Sequence, residues 1–144
     1  MKFIKINFFI IIIFTSTLVG CAQNTKEKNT IHTTEVSEKD KVINLISPEE
    51  LNKKLGEITL IDIRTPQEFS EGHLKNAANI NLFDPNFIQK MNKFDKSKVL
   101  YIYCRSGNRT SSAAKKLAEI GFVKIYDLQG GILNWRKNNM EVIK

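Results

Sequence analysis

Cys104 is followed by Arg105, Ser106, Gly107, Asn108, Arg109 and Thr110, so two arginines, a glycine and two hydroxyl residues crowd into the six positions after one thiol. A lone cysteine at a strand end is commonly a small buried residue, but that role gives no reason for such neighbours. The composition suits anion capture. The arginines bring positive charge and forked donors, the glycine lets the chain turn tightly, and a thiol beside cations is expected to ionise more readily than a free cysteine. An ionised thiol is a nucleophile. This reading requires the sulfur to face the amides of its own loop and not to turn inward, away from both solvent and those amides.

The elements around the segment support that placement. Val99 to Tyr103 is the most β-prone run of the chain, aromatic or branched at every position but Leu100, with polar flanks on both sides. It is expected at the centre of a sheet. Ser111 to Ile120 carries apolar residues at Ala113, Leu117 and Ile120 and stops at Gly121, which predicts a helix packed on one face. Cys104 would then end a central strand just before a helix, at the ligand edge of an open α/β sheet. Turn amides can converge there on one atom, and the helix N-terminus adds positive potential.

The remaining pattern also alternates strands with short helices, giving an α/β class with a mostly parallel sheet. Val42 to Ile46 reads as a first strand. Ser47-Pro48-Glu49-Glu50 then supplies an N-cap, a proline in the first turn and a capping-box glutamate for a helix to about Leu55. Ile58 to Ile63 is a buried strand, and Thr65-Pro66-Gln67-Glu68 opens another short helix. Asn79 to Asn81 is a small strand, Pro85 to Met91 a helical stretch, and Val123 to Tyr126 the last strand. Gly131 to about Lys137 is the last helix, with Ile132 and Trp135 on one face.

The N-terminal part has a different character. Lys2 and Lys5 precede an apolar run from Phe8 to Phe14, which Thr15, Ser16 and Thr17 interrupt short of the roughly 20 apolar residues of a spanning helix. Leu18-Val19-Gly20-Cys21 follows and resembles the lipobox of bacterial lipoproteins. Residues 1–20 are therefore expected to be a lipoprotein signal peptide and Cys21 the lipidated N-terminus. Residues 21–41 are expected to be a polar tether, with Ile31 and Val36 as its sizeable apolar side chains and His32 an exposed linker residue. Residues 42–144 form the folded domain, held at the cell envelope outside the cytoplasm by a lipid in the membrane. With Cys21 acylated, Cys104 is the remaining thiol, and no intramolecular disulfide is expected. Loss of Lys2 and Lys5 lowers the formal charge from +7 to +5. That charge is spread over isolated lysines, which argues against a nucleic-acid partner.

The segment Cys104 to Thr110 resembles the active-site loop of the rhodanese family of sulfurtransferases. Ile61-Asp62-Ile63-Arg64, Glu68-Phe69, Gly72-His73-Leu74 and Ala77 with Asn79-Ile80-Asn81 are similar to its first signature, and Gly130-Gly131-Ile132 with Trp135 to its C-terminal one. The likeness runs from about Leu45 to Lys137. It implies a five-stranded parallel sheet flanked by helices on both faces, and transfer of a sulfane sulfur from a small anionic donor to a thiol or cyanide through a persulfide on Cys104. No cofactor or metal is called for. Asn81 stands where the family often has proline, and Leu74 where it has isoleucine, both matters of packing. An arginine that helps bind thiosulfate in some two-domain members falls near Glu68, so substrate binding here must lean on Arg105 and Arg109.

Asp62 and Arg64 are expected to be a satisfied ion pair bracing the sheet edge, His73 a hydrogen-bonding imidazole, and Trp135 core. Two other functions use the same residues. A non-catalytic binding or sulfur-carrier module with this fold would usually have lost the loop cysteine. A cysteine phosphatase or arsenate reductase needs five residues between cysteine and arginine, whereas four separate Cys104 from Arg109, a loop better sized for one sulfur atom than for phosphate.

Overall fold

The computed structural model describes residues 42–144. The expected signal peptide, the lipidation site at Cys21 and the tether lie outside the described residues. Five strands form one parallel sheet in the order β1-β5-β4-β2-β3: β1 Ile43–Ile46, β2 Thr59–Asp62, β3 Ala78–Asn79, β4 Leu100–Tyr103 and β5 Ile125–Leu128. The helices are α1 Pro48–Asn52, α2 Pro66–Ser70, α3 Phe87–Met91, α4 Asn108–Glu119 and α5 Gly131–Lys137. Parallel neighbours need crossovers, and the helices supply them.

Both faces of the sheet are covered, as an all-parallel sheet requires. One face carries Ile61, Ile63, Ile102, Cys104 and Ile125 beneath Ala113, Ala114 and Leu117 of α4 and Met91 of α3. The other carries Leu60, Tyr101, Tyr103 and Leu128 beneath Leu51 of α1 and Ile132 and Trp135 of α5. Strand β4 lies at the centre with all four residues buried.

The two short helices after β1 and β2 begin as their sequences dictate. Ser47 and Glu50 close a capping box on α1, and Thr65 and Glu68 close one on α2, each with proline in the first turn. Several boundaries differ from the sequence reading: the first helix ends at Asn52 and not near Leu55, the third strand is Ala78–Asn79 and not Asn79 to Asn81, the helix expected from Pro85 begins at Phe87, and two further differences bear on the cysteine segment. β5 runs two residues later than Val123 to Tyr126, because Gly121 to Lys124 form the turn that inserts Phe122 into the core while Val123 stays 56% exposed. Asp127 thereby becomes a strand residue. Helix α4 begins at Asn108, not Ser111, because Gly107 adopts φ 95° and its carbonyl accepts hydrogen bonds from the hydroxyls of Thr110, at 2.7 Å, and Ser111, at 3.1 Å. Asn108, Arg109 and Thr110 are helical residues.

Candidate active site

Cys104 stands one residue beyond β4 and Gly107 three residues later, directly before α4. A left-handed backbone at Gly107 folds the loop back on itself, so its amide N–H donates to Cys104 Sγ at 3.1 Å. The hydroxyl of Thr110, one turn into α4, lies 3.8 Å from the same sulfur. Cys104 itself is 1% exposed and packs with the core of its face. The sulfur is thus withdrawn from solvent yet turned to the loop amide and the start of a 12-residue helix. Arg105, Ser106 and Asn108 form the exposed part of the segment.

The first two carbonyls of the loop are held by amides of α5. Ile132 N–H donates to Cys104 O at 2.9 Å and Leu133 N–H to Arg105 O at 3.1 Å. That approach needs Gly131: a Cβ there would sit 2.5 Å from Cys104 O and 2.7 Å from Arg105 O. Gly130-Gly131 was legible as a motif, but its part in orienting the cysteine loop requires the contact between α5 and the end of β4.

The two arginines play different parts. Arg105 is exposed. Arg109 donates from Nη1 to Glu68 Oε2 at 2.7 Å and from Nη2 to Glu68 Oε1 at 2.6 Å, and its guanidinium lies 5.9 Å from the Phe83 ring centroid. Glu68 is fixed in turn by its capping box, its Oε2 accepting from the Thr65 amide at 3.1 Å. Arg109's hydrogen bonds hold the Glu68 carboxyl down to about 2, against the opposition of partial burial. The same hydrogen bonds raise Arg109, opposed by burial and reinforced by the charges of Glu68 and Cys104. Of the two arginines of the segment, Arg109 is therefore paired with an internal carboxylate.

Asp62 and Arg64 form the expected buried pair: Arg64 Nη2 donates to Asp62 Oδ2 at 2.6 Å and to Gly72 O at 2.8 Å, with Asp62 0% and Arg64 4% exposed. Burial works to lower the Arg64 guanidinium, and Asp62 more than offsets it. Asp62 alternates with Ile61 and Ile63 along its strand, so it lies on the sheet face opposite Cys104, where Arg64 sits 5.7 Å from the Tyr103 ring centroid. The pair braces the sheet and does not touch the sulfur loop. His73 Nδ1 is 3.1 Å from Phe69 O and its ring stacks on Phe69, and Trp135 is core.

A surface cavity of about 310 Å³ is lined by Leu45, Ile46, Glu50, Lys53, Lys54 and Tyr126, none of them part of the cysteine loop. Among the described residues no three His, Cys, Asp or Glu side chains converge to hold a metal.

Comparison with known proteins points the same way. The family described as Rhodanese-like domain matches residues 47–138. A sulfurtransferase of Allochromatium vinosum is 30% identical over 106 residues, which are 71% of this chain and 96% of that protein. Thiosulfate sulfurtransferase 16, chloroplastic, of Arabidopsis thaliana is 32% identical over 90 residues, 56% of this chain and 75% of that one. The crystal structure of a rhodanese-related protein from Thermoplasma volcanium superposes with a TM-score of 0.63 at 27% identity, covering 69% of this chain and 97% of that chain.

Proposed function

The chain belongs to the rhodanese-like family, and from that premise we propose that it is a sulfurtransferase whose Cys104 accepts a sulfane sulfur and passes it to a thiophilic acceptor. The observation that carries this reading is the 3.1 Å hydrogen bond from the Gly107 amide to Cys104 Sγ, made where a central strand meets a helix N-terminus.

In the first half-reaction the Cys104 thiolate attacks the outer sulfur of a thiosulfate-like donor. The new S–S bond forms as the donor's own S–S bond breaks, and sulfite leaves with the electron pair. In the second, cyanide or a thiolate attacks the terminal sulfur of the persulfide, and Cys104 leaves as thiolate. The cycle needs no external oxidant or reductant. The Gly107 amide and the dipole of α4 stabilise negative charge at the sulfur in both halves, and exposed Arg105 meets the anionic donor first.

Thiocyanate formation from thiosulfate and cyanide tests the proposal, with a mass measurement for one added sulfur on Cys104. The parent protein should turn over and carry the persulfide. A Cys104→Ser variant with parental turnover would remove the mechanism.

We further propose that the domain works at the cell envelope on a lipid at Cys21, the reading supported by Leu18-Val19-Gly20-Cys21 after a short apolar run. Metabolic labelling with a fatty acid should be lost in Cys21→Ser; labelling that persists refutes the anchor.

A further inference from the structure

Asp127 on β5 is 4% exposed, and its Oδ1 makes no hydrogen bond. An orphaned buried carboxylate oxygen is costly and calls for a reason. In register it lies beside Ile102 of β4 and Leu45 of β1. Strand alternation puts it on the same face as Ile125, the face that carries Ile102, Cys104 and α4. Cys104 is two residues past Ile102 on that face. Thr110, fully buried in the first turn of α4, serves both groups. Its hydroxyl oxygen is 3.8 Å from Cys104 Sγ, and it is the polar side chain that acts on the Asp127 carboxyl.

The hydroxyl has one proton, and it is donated to Gly107 O at 2.7 Å. With the proton there, Thr110 Oγ1 can accept from a Cys104 S–H or from a protonated Asp127; turned away from Gly107 O, the same proton can be donated to one of the two as an anion, not to both. Ionisation of one draws the hydroxyl proton toward it and withdraws that proton from the other.

We propose that Asp127 is a proton-holding positioning residue of the sulfur site, coupled to Cys104 through the Thr110 hydroxyl, so that its protonation governs how readily the sulfur becomes an anion. The inference rests on Cys104 being the reacting group. Burial raises the Asp127 carboxyl to about 6 while Thr110 pulls it down, so the group changes charge just below neutrality. The residues facing it are Ile102 and Cys104 from β4, Ile43 and Leu45 from β1, and Thr110 from α4. Of these Cys104 is the one with an ionisable side chain.

The test measures alkylation of Cys104 by iodoacetamide in the full chain in detergent, followed on the Cys104 peptide by mass spectrometry, for parent and Asp127→Asn. At pH 7.5, where Asp127 is ionised, the variant should react three- to tenfold faster, and at pH 5 the two rates should agree within twofold. A variant-to-parent ratio that is the same at both pH values overturns the proposal, since a purely structural effect would act equally at each. Should Asp127→Asn fail to fold, the parent and Cys104→Ala decide. The carboxyl ¹³C resonance of Asp127 should show, besides its own titration, a second inflection that disappears in Cys104→Ala. A single titration unchanged in Cys104→Ala overturns the coupling. Neither readout uses a sulfur donor, so absence of turnover and absence of coupling are separate results.

Discussion

Arg109 donates two hydrogen bonds, of 2.7 and 2.6 Å, to Glu68, a residue 41 positions earlier in the chain. The pair joins the first turn of α4 to the capping box of α2, and it sets the charge presented beside the cysteine loop. A bidentate pair with side chains 21% and 26% exposed is stronger than a typical surface bridge, yet still open to solvent screening.

Replacing the carboxylate by an amide should free that charge for a dianionic donor. For Glu68→Gln we expect KM for thiosulfate to fall about three- to tenfold, a gain of roughly 0.6–1.4 kcal/mol, with kcat changed less than twofold. Steady-state kinetics at low salt measure it. An unchanged or higher KM would mean that Arg109 does not meet the donor.

The same pair predicts an acid limb of stability. Glu68 is held at about 2 against an ordinary value of 4.5, so its stabilising effect is fully present above about pH 4.5 and is lost as pH falls through about 2. Urea midpoints of parent and Glu68→Gln should differ by a constant amount at pH 5 and above and converge between pH 4.5 and 2. A difference independent of pH across that window would contradict the pairing.

Arg64→Ala strands the Asp62 carboxylate, 0% exposed, without its partner. Breaking a buried pair from one side typically costs about 3–5 kcal/mol, and a drop of that size is expected in chemical unfolding. Asp62→Leu combined with Arg64→Met should recover most of it, because no unpaired charge is left behind. A loss below about 1 kcal/mol in Arg64→Ala would show that the pair is not buried in solution.

Gly131→Ala places a methyl 2.5 Å from Cys104 O on a backbone with φ of 58°. Strain and displacement together should lower stability by about 2–4 kcal/mol and reduce turnover at least tenfold, because the loop carbonyls and the sulfur move together. Gly56→Ala is the control: φ there is 140° and no atom lies within 4 Å of the added methyl. It should cost stability through backbone strain but leave turnover near parental.

How much of this was legible beforehand depends on the range of the interaction. The alternation of short apolar runs and helical patterns placed all five strands and the central position of β4, since burial on both faces selects branched and aromatic residues that are visible locally. The capping boxes at Ser47 and Thr65 are signals within four residues of each helix start. Cys104 and its loop stood out because a thiol among arginines, a glycine and hydroxyls is a local composition. The start of α4 was read three residues late, because a Gly107 carbonyl that accepts from two hydroxyls is a geometric fact with no periodic signature. The sequence placed Asp62 beside Arg64 and predicted their pairing, two positions apart at the end of β2.

What needed the folded chain were relationships between distant segments. Glu68 and Arg109 meet because α2 and α4 emerge at the same edge of neighbouring strands. Asp127 faces the sulfur's side of the sheet because it alternates in step with Ile125 along β5, and a one-residue change of register would turn it to the other face. Gly131 touches the Cys104 carbonyl because α5 packs its first turn onto the end of β4. Local composition therefore determined which atom is the candidate nucleophile and what kind of groups surround it. Which charges and protons that atom feels was decided by tertiary packing, since strand register and helix placement alone set the distances over which electrostatics and hydrogen bonds act.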